Sequence, residues 1–135
     1  MPPEIPVLFL DECIGGRIIA ADLRKRGIDV RIQDELPHIP RAIDDSEWAK
    51  AVAAEGWVAV SRDKRIRHRV AEKQAIATAG LALFILTSRR NLSRVEIVDL
   101  IANAAPRIPA FLREHQAPFI AAIHSGGKIE MREIL

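Results

Sequence analysis

Three segments of the chain repeat one order of residues: an amphipathic stretch, a glycine, then an apolar run. Gly27 precedes IDVRI, Gly56 precedes WVAV, and Gly80 precedes LALFIL. A glycine just past a helix supplies the left-handed conformation that ends it, so each unit reads as helix, cap, strand. Helices alternating with strands in this way build a parallel sheet. WVAV and LALFIL are continuous apolar runs, as strands covered on both faces require, and are expected near the centre of that sheet. Ile28, Val30 and Ile32 alternate with Asp29 and Arg31, which predicts a more exposed strand.

Helices follow from the same pattern. Gly16 to Arg26 carries Ile19 and Leu23 four apart, Glu47 to Glu55 carries Trp48 and Val52, and Val70 to Ala79 carries Val70 with Ala75, Ile76 and Ala79. Ser93 with Glu96 is a capping-box pair that opens a helix at about Arg94, with Val95, Val98 and Ile101 on its buried side. Pro106 and Pro109 restart the chain as a short helix ending near His115. In the tail, PFIAAI and KIEM flank SGGK, the pattern of a β-hairpin closing one edge of the sheet. With 135 residues, the expectation is a single domain.

Composition narrows the classes. The chain is 49% hydrophobic and 28% charged, an ordinary globular balance, and no apolar run approaches the roughly 20 residues that a membrane-crossing helix needs. The opening MPPEIPVLFL lacks the basic start and small-residue cleavage site of a signal peptide, so a cytoplasmic location is expected. The single cysteine, Cys13, makes no internal disulfide and rules out a cysteine-based zinc site. Net charge is only +2, so the chain as a whole is no basic nucleic-acid coat. Its basic residues are clustered instead: Arg62, Lys64, Arg65, Arg67, Arg69 and Lys73 stand together, with only Asp63 and Glu72 opposing. Such a cluster suits phosphate contacts, and a solvated helix face is the alternative reading.

The acidic residues converge. Asp11 and Glu12 follow the first apolar run, VLFL, and Asp63 follows WVAV after Ser61 and Arg62. Parallel strands carry both groups to one edge, and open α/β sheets bind ligands in the crevice outside the carboxyl ends of their strands. The connection after the IDVRI strand ends at Asp44 and Asp45, with Ser46 and Glu47 opening the next helix on that edge. Carboxylates gathered in one crevice repel each other unless protons or a cation compensate. A hard divalent ion, Mg²⁺ or Mn²⁺, is the natural compensation, and it supports phosphodiester hydrolysis by activating water and stabilising the reacting oxygens. Arg62, Lys64, Arg65 and Arg67 beside Asp63, with Arg89 and Arg90 after LALFIL, would hold the phosphate backbone of the substrate.

Each of these residues also has a structural reading. Asp45 is a good helix N-cap, Asp44 a good turn residue, Glu47 favours a helix N-terminus, and Asp63 suits the turn in SRDK. What favours metal binding is that three separate strand ends each deliver a carboxylate to one edge. Cys13 has no histidine base nearby, so it reads as an incidental thiol. His38, His68, His115 and His124 show no metal-ligand spacing, and Trp48 and Trp57 are expected in the core.

The segments FLDECIGG at 9–16, DDSEWAKAVAAEGWVAVSRDKRIRHR at 44–69 and GLALFIL at 80–86 resemble the PIN domain family, in particular its short PIN-like members related to the VapC toxins of toxin–antitoxin systems. With the helices between them they cover most of residues 5 to 90, leaving C-terminal helices and a hairpin over 91–135. The resemblance implies a three-layer α/β/α fold with a central, mainly parallel sheet, and metal-dependent ribonuclease activity. It assigns the acidic, metal-binding site to Asp11, Asp45 and Asp63, with Glu12, Asp44 and Glu47 as supporting candidates. Which of Asp44, Asp45 and Glu47 is the direct ligand stays open. The partners it implies are RNA and a cognate antitoxin protein, and a homodimer is compatible with it. Two rivals remain: a PIN-like module that docks RNA or protein without cutting, and a phosphoacceptor receiver domain. The receiver would need a lysine after a later strand, and TSRRN after LALFIL offers none.

Overall fold

The computed structural model describes residues 4–37, 45–63, 66, 69–87 and 91–135, without the side chains of Asp45 and Ser46. Six strands form one sheet: β1 (Leu8–Leu10), β2 (Val30–Ile32), β3 (Val58–Ser61), β4 (Ala82–Leu86), β5 (Phe119–Ile123) and β6 (Ile129–Ile134). Their spatial order is β2-β1-β3-β4-β5-β6. The first five are mutually parallel, and only β6 runs antiparallel, against β5. β3 and β4 lie inside the sheet and β2 at its edge, as their apolar and alternating patterns require. The C-terminal hairpin is present and closes the opposite edge, with the turn Ser125–Gly127 between its strands.

Helices cover both faces. α1 (Gly16–Lys25) and α4 (Arg94–Ala104) bury Ile19, Leu23, Ile97, Val98 and Ile101 against Leu8, Leu10, Val60 and Phe84. α2 (Asp45–Ala54) and α3 (Val70–Ala79) bury Trp48, Val52 and Ile76 against Phe9, Ala59, Leu83 and Ile85. Successive residues of β1, Leu8, Phe9 and Leu10, thus belong alternately to the two cores, as the period-two geometry of a strand demands. The result is the three-layer α/β/α arrangement. α5 (Ile108–Glu114) adds Phe111, whose ring packs edge-on against Phe84 and Phe119 at centroid distances of 5.9 and 5.4 Å.

Most local signals act where the sequence puts them, but Val95, expected on the buried side of α4, is exposed and Ile97 is buried there instead. Gly80 ends α3 in the left-handed conformation, φ 73°, with its N–H turned back to the carbonyls of Ile76 and Ala77. Ser93 and Glu96 form the complete capping box of α4. α2 differs from expectation: Asp45 is its first helical residue rather than its cap. An acidic residue in the first turn is favoured there by the helix dipole. Trp48 is buried and stacks on Phe9, but Trp57 is only half-buried, with the Arg31 guanidinium 5.7 Å from its ring centroid. No helix among the described residues is long and apolar enough to cross a membrane.

Candidate functional site

The site begins where two adjacent parallel strands run out. β1 and β3 pair from Leu8 with Val58 to Leu10 with Val60, and the ladder continues one step further as the Asp11 N–H bonds the Val60 carbonyl at 2.9 Å. Asp11 therefore stands level with the end of β3, and its side chain organises the turn that follows. One carboxylate oxygen, Oδ1, accepts the N–H of Glu12 at 2.8 Å and caps a short 3-10 turn over Glu12–Ile14. The other, Oδ2, accepts the hydroxyl of Ser61 at 2.9 Å.

Ser61, the last residue of β3, is fully buried, and it is the only buried polar residue among those described. Its Oγ donates to Asp11 and accepts the main-chain N–H of Asp63 at 3.0 Å. One hydroxyl thus ties the two predicted acids together across neighbouring strands. Sequence reasoning treated Ser61 as a spacer, although a hydroxyl ending an otherwise apolar central strand was the available signal. Cys13 closes the same knot, its Sγ 3.4 Å from both Asp11 Oδ2 and Ser61 Oγ, and accepting the Arg62 N–H at 3.2 Å. Burial pushes the Cys13 thiol above its ordinary value, and its contacts with the Ser61 hydroxyl and the Arg62 N–H only partly offset this. The raised value disfavours the thiolate, so this exposed thiol is not poised for nucleophilic attack.

On the α2–α3 side, Asp11 and Asp63 line a small cavity of about 110 Å³ with Trp48, Ile66, Arg69, Glu72 and Ile76. Two of these lining groups were not expected. The Arg69 guanidinium lies 2.6 Å from Glu72 and 3.4 Å from Asp63 Oδ2, so a cation of the chain itself sits among the acids. On the β2 side, Asp11 also borders a second cavity of about 210 Å³, shared with Glu12, Gln33 and Asp34. Glu12 is exposed at that mouth, and Glu47 is exposed in the first turn of α2 and lines neither cavity. Arg62 is half-buried beside Asp63. Asp44, Lys64, Arg65, Arg67, Arg89 and Arg90 lie outside the described residues, as does the side chain of Asp45.

Further along the same edge, a cleft of about 710 Å³ opens beyond the ends of β4 and β5, lined by Thr87, Asp99, Asn103 and His124 among others. There His124 Nδ1 meets the Thr87 hydroxyl at 2.9 Å, and Nε2 lies 3.2 Å from Glu130. His124, with Arg132 nearby, holds the Glu130 carboxyl below its usual range. Neither Asp11 nor Asp63 borders this cleft.

The donor set at the strand ends suits a hard divalent cation, since it offers two carboxylates from neighbouring strands and no soft ligand other than a neutral thiol. Among the described residues, however, no three carboxylate, imidazole or thiol groups stand together as a metal-holding cluster. The third ligand expected from Asp45 or Asp44 falls on side chains outside the described residues.

A parallel sheet with acids gathered outside the carboxyl ends of adjacent strands defines an α/β protein that works through an edge crevice. The family model described as a PIN like domain matches residues 6–88, and the chain belongs to that family, part of a superfamily of nucleases whose members generally use divalent metals. The matched span runs from β1 to β4 and contains Asp11, Ser61, Asp63, Arg69 and Glu72. No curated protein and no solved structure matches the chain.

Proposed function

We propose that the protein is a metal-dependent endoribonuclease that hydrolyses RNA phosphodiester bonds at the β1–β3 edge. The observation that carries this reading is that Ser61 ties the Asp11 carboxylate to the Asp63 main chain, so that both acids border one cavity at the ends of adjacent parallel strands in a nuclease-superfamily fold. Asp11 and Asp63 would hold Mg²⁺ or Mn²⁺, with Asp45 as the third ligand and Asp44 or Glu47 as its alternates. When bound, the ion supplies an activated water and charge stabilisation for the reacting oxygens. Ser61 keeps the Asp11 carboxylate aimed, and a neutral Cys13 adds no competing charge. Glu12 is placed at the mouth as a supporting acid. Arg62, with Lys64, Arg65, Arg67, Arg89 and Arg90, would neutralise RNA phosphates along the edge.

The resemblance to VapC-related PIN-like members supports, as a further part of this proposal, a cytoplasmic toxin of a toxin–antitoxin pair with a cognate antitoxin covering the acidic crevice; homodimerisation is compatible with this role. A second reading, a non-catalytic RNA- or protein-binding module, is favoured by the contact of Arg69 with Asp63, which compensates one acid without any metal. Incubating labelled RNA with the wild type and Asp63→Asn, in Mg²⁺, in Mn²⁺ and in EDTA, separates the two. Metal-dependent cleavage by the wild type alone supports the nuclease; no cleavage and no divalent binding supports the module.

A further inference from the structure

Two described members of the basic cluster between Arg62 and Lys73, Arg69 and Lys73, turn to different partners. Lys73 turns to β6, where its Nζ meets Glu133 at 2.9 Å. Arg69 turns the other way, into the cavity bordered by both strand-end acids. The Ile66 N–H bonds the Asp63 carbonyl, the Arg69 N–H bonds the Ile66 carbonyl, and the Ile66 side chain is buried. Arg69 arrives as the residue before the first turn of α3, and Glu72 in that turn receives it at 2.6 Å. The Glu72 side chain is only 14% exposed while that of Arg69 is 40% exposed, so the pair is shielded from solvent on its acidic side only.

We propose that Arg69 is a positioning residue that serves as the crevice's built-in counter-ion, and that a divalent cation binding at Asp63 has to displace its guanidinium. The inference rests on the metal-nuclease reading and extends it to how the site is regulated. A positive charge close to a carboxylate lowers that carboxylate's affinity for any second cation, and the effect is strong where the groups are partly shielded from water. Arg69 has two acids to choose between. Glu72 gives it a place to rest once Asp63 is taken by a metal ion, so the guanidinium moves between partners rather than out into solvent. The resting crevice then carries less uncompensated negative charge, which removes a folding cost that an empty acidic site would impose. Divalent affinity is weakened by design of the same contact, and a partner or substrate that draws Arg69 away would strengthen it.

The test is calorimetric titration of the full chain with MnCl₂ alone, without RNA, at one fixed ionic strength. Arg69→Gln should tighten Mn²⁺ binding by about tenfold. Arg69→Lys keeps the charge and should stay within about twofold of the wild type. Glu72→Gln removes the alternative resting place and should weaken binding, which tests the idea from the opposite side even if Arg69→Gln folds poorly. Thermal melts of each variant separate lost folding from changed affinity, because a purely structural role would lower the melting temperature without tightening the metal. Equal or weaker binding by a folded Arg69→Gln, while the wild type binds Mn²⁺ and cleaves RNA, overturns this inference and leaves the nuclease standing. Absence of both binding and cleavage in the wild type overturns the two together.

Discussion

Ser61 is the residue on which the geometry of the site turns. It lies at the end of a strand whose other described side chains are apolar, is wholly buried, and spends its donor on Asp11 and its acceptor on the Asp63 N–H. Removing it leaves the Asp63 N–H without its acceptor and Asp11 Oδ2 with only the longer Cys13 contact, which for partly buried groups costs about 1 kcal/mol. Ser61→Ala is therefore expected to lower the unfolding free energy by that amount in urea titration, and to reduce any cleavage by loosening Asp11; an unchanged midpoint would mean that water replaces the hydroxyl without loss. At this scale the sequence was readable in part. Asp11 and Asp63 follow apolar runs, and strand direction alone brings them to one edge. The inward turn of Arg69 was not readable, because six basic residues in a row of twelve look alike until the fold decides which of them faces the acids. Glu72 was hidden for the same reason, being read only as an opposing charge.

At the scale of elements, the connection after β2 shows how surface charge steers chain direction. Arg24, in the last turn of α1, donates to both oxygens of Glu35, at 3.0 and 2.6 Å, and to the Val30 carbonyl at 2.8 Å. It so joins the end of a helix, an edge strand and the turn that leads toward α2. The Arg24 guanidinium holds the Glu35 carboxyl below its ordinary value of 4.5. A carboxyl lowered on folding adds stability that is fully present above the ordinary value and fades as pH falls through the lowered one. Both side chains are about one-third exposed, so the contribution is small, at most about 1 kcal/mol. Comparing wild type with Glu35→Gln by urea unfolding should show that difference at pH 7 and its disappearance toward strongly acidic pH; a difference that grows on acidification would contradict the assignment. Element identity was legible throughout this region because helix, glycine and strand recur in fixed order. The start of α2 was not, since Asp44, Asp45 and Glu47 are all acceptable at a helix N-terminus and only the backbone distinguishes cap from first turn.

Across the whole molecule, the acidic edge lies toward one side of the sheet and the hairpin of β5 and β6 closes the other. The hairpin turn is locked against α4 at Gly127: φ is 82°, and a Cβ built there would fall 2.5 Å from the Asn103 carbonyl carbon. Gly127→Ala should therefore cost about 2 kcal/mol or more, from both the backbone conformation and the clash, and thermal melting reads the loss directly. A neutral substitution would mean that the turn and α4 separate easily. The SGGK pattern announced this hairpin, but not that its glycine is needed for close approach to a helix more than twenty residues earlier, which is a tertiary fact. The matched family span ends at residue 88, before α4 and the hairpin, so the acids at β1 and β3 sit within the family fold while the far edge is built by the remainder of the chain.

The central claim is that Asp11 and Asp63, which border one cavity at the ends of adjacent strands, support metal-dependent RNA hydrolysis. The most direct measurement is cleavage of labelled RNA by wild type and Asp63→Asn in Mg²⁺ or Mn²⁺, with EDTA controls and circular dichroism to confirm that the variant folds. The account predicts cleavage by the wild type that EDTA abolishes and that the folded variant lacks. Cleavage of equal rate by the folded variant, or cleavage that persists in EDTA, would contradict it.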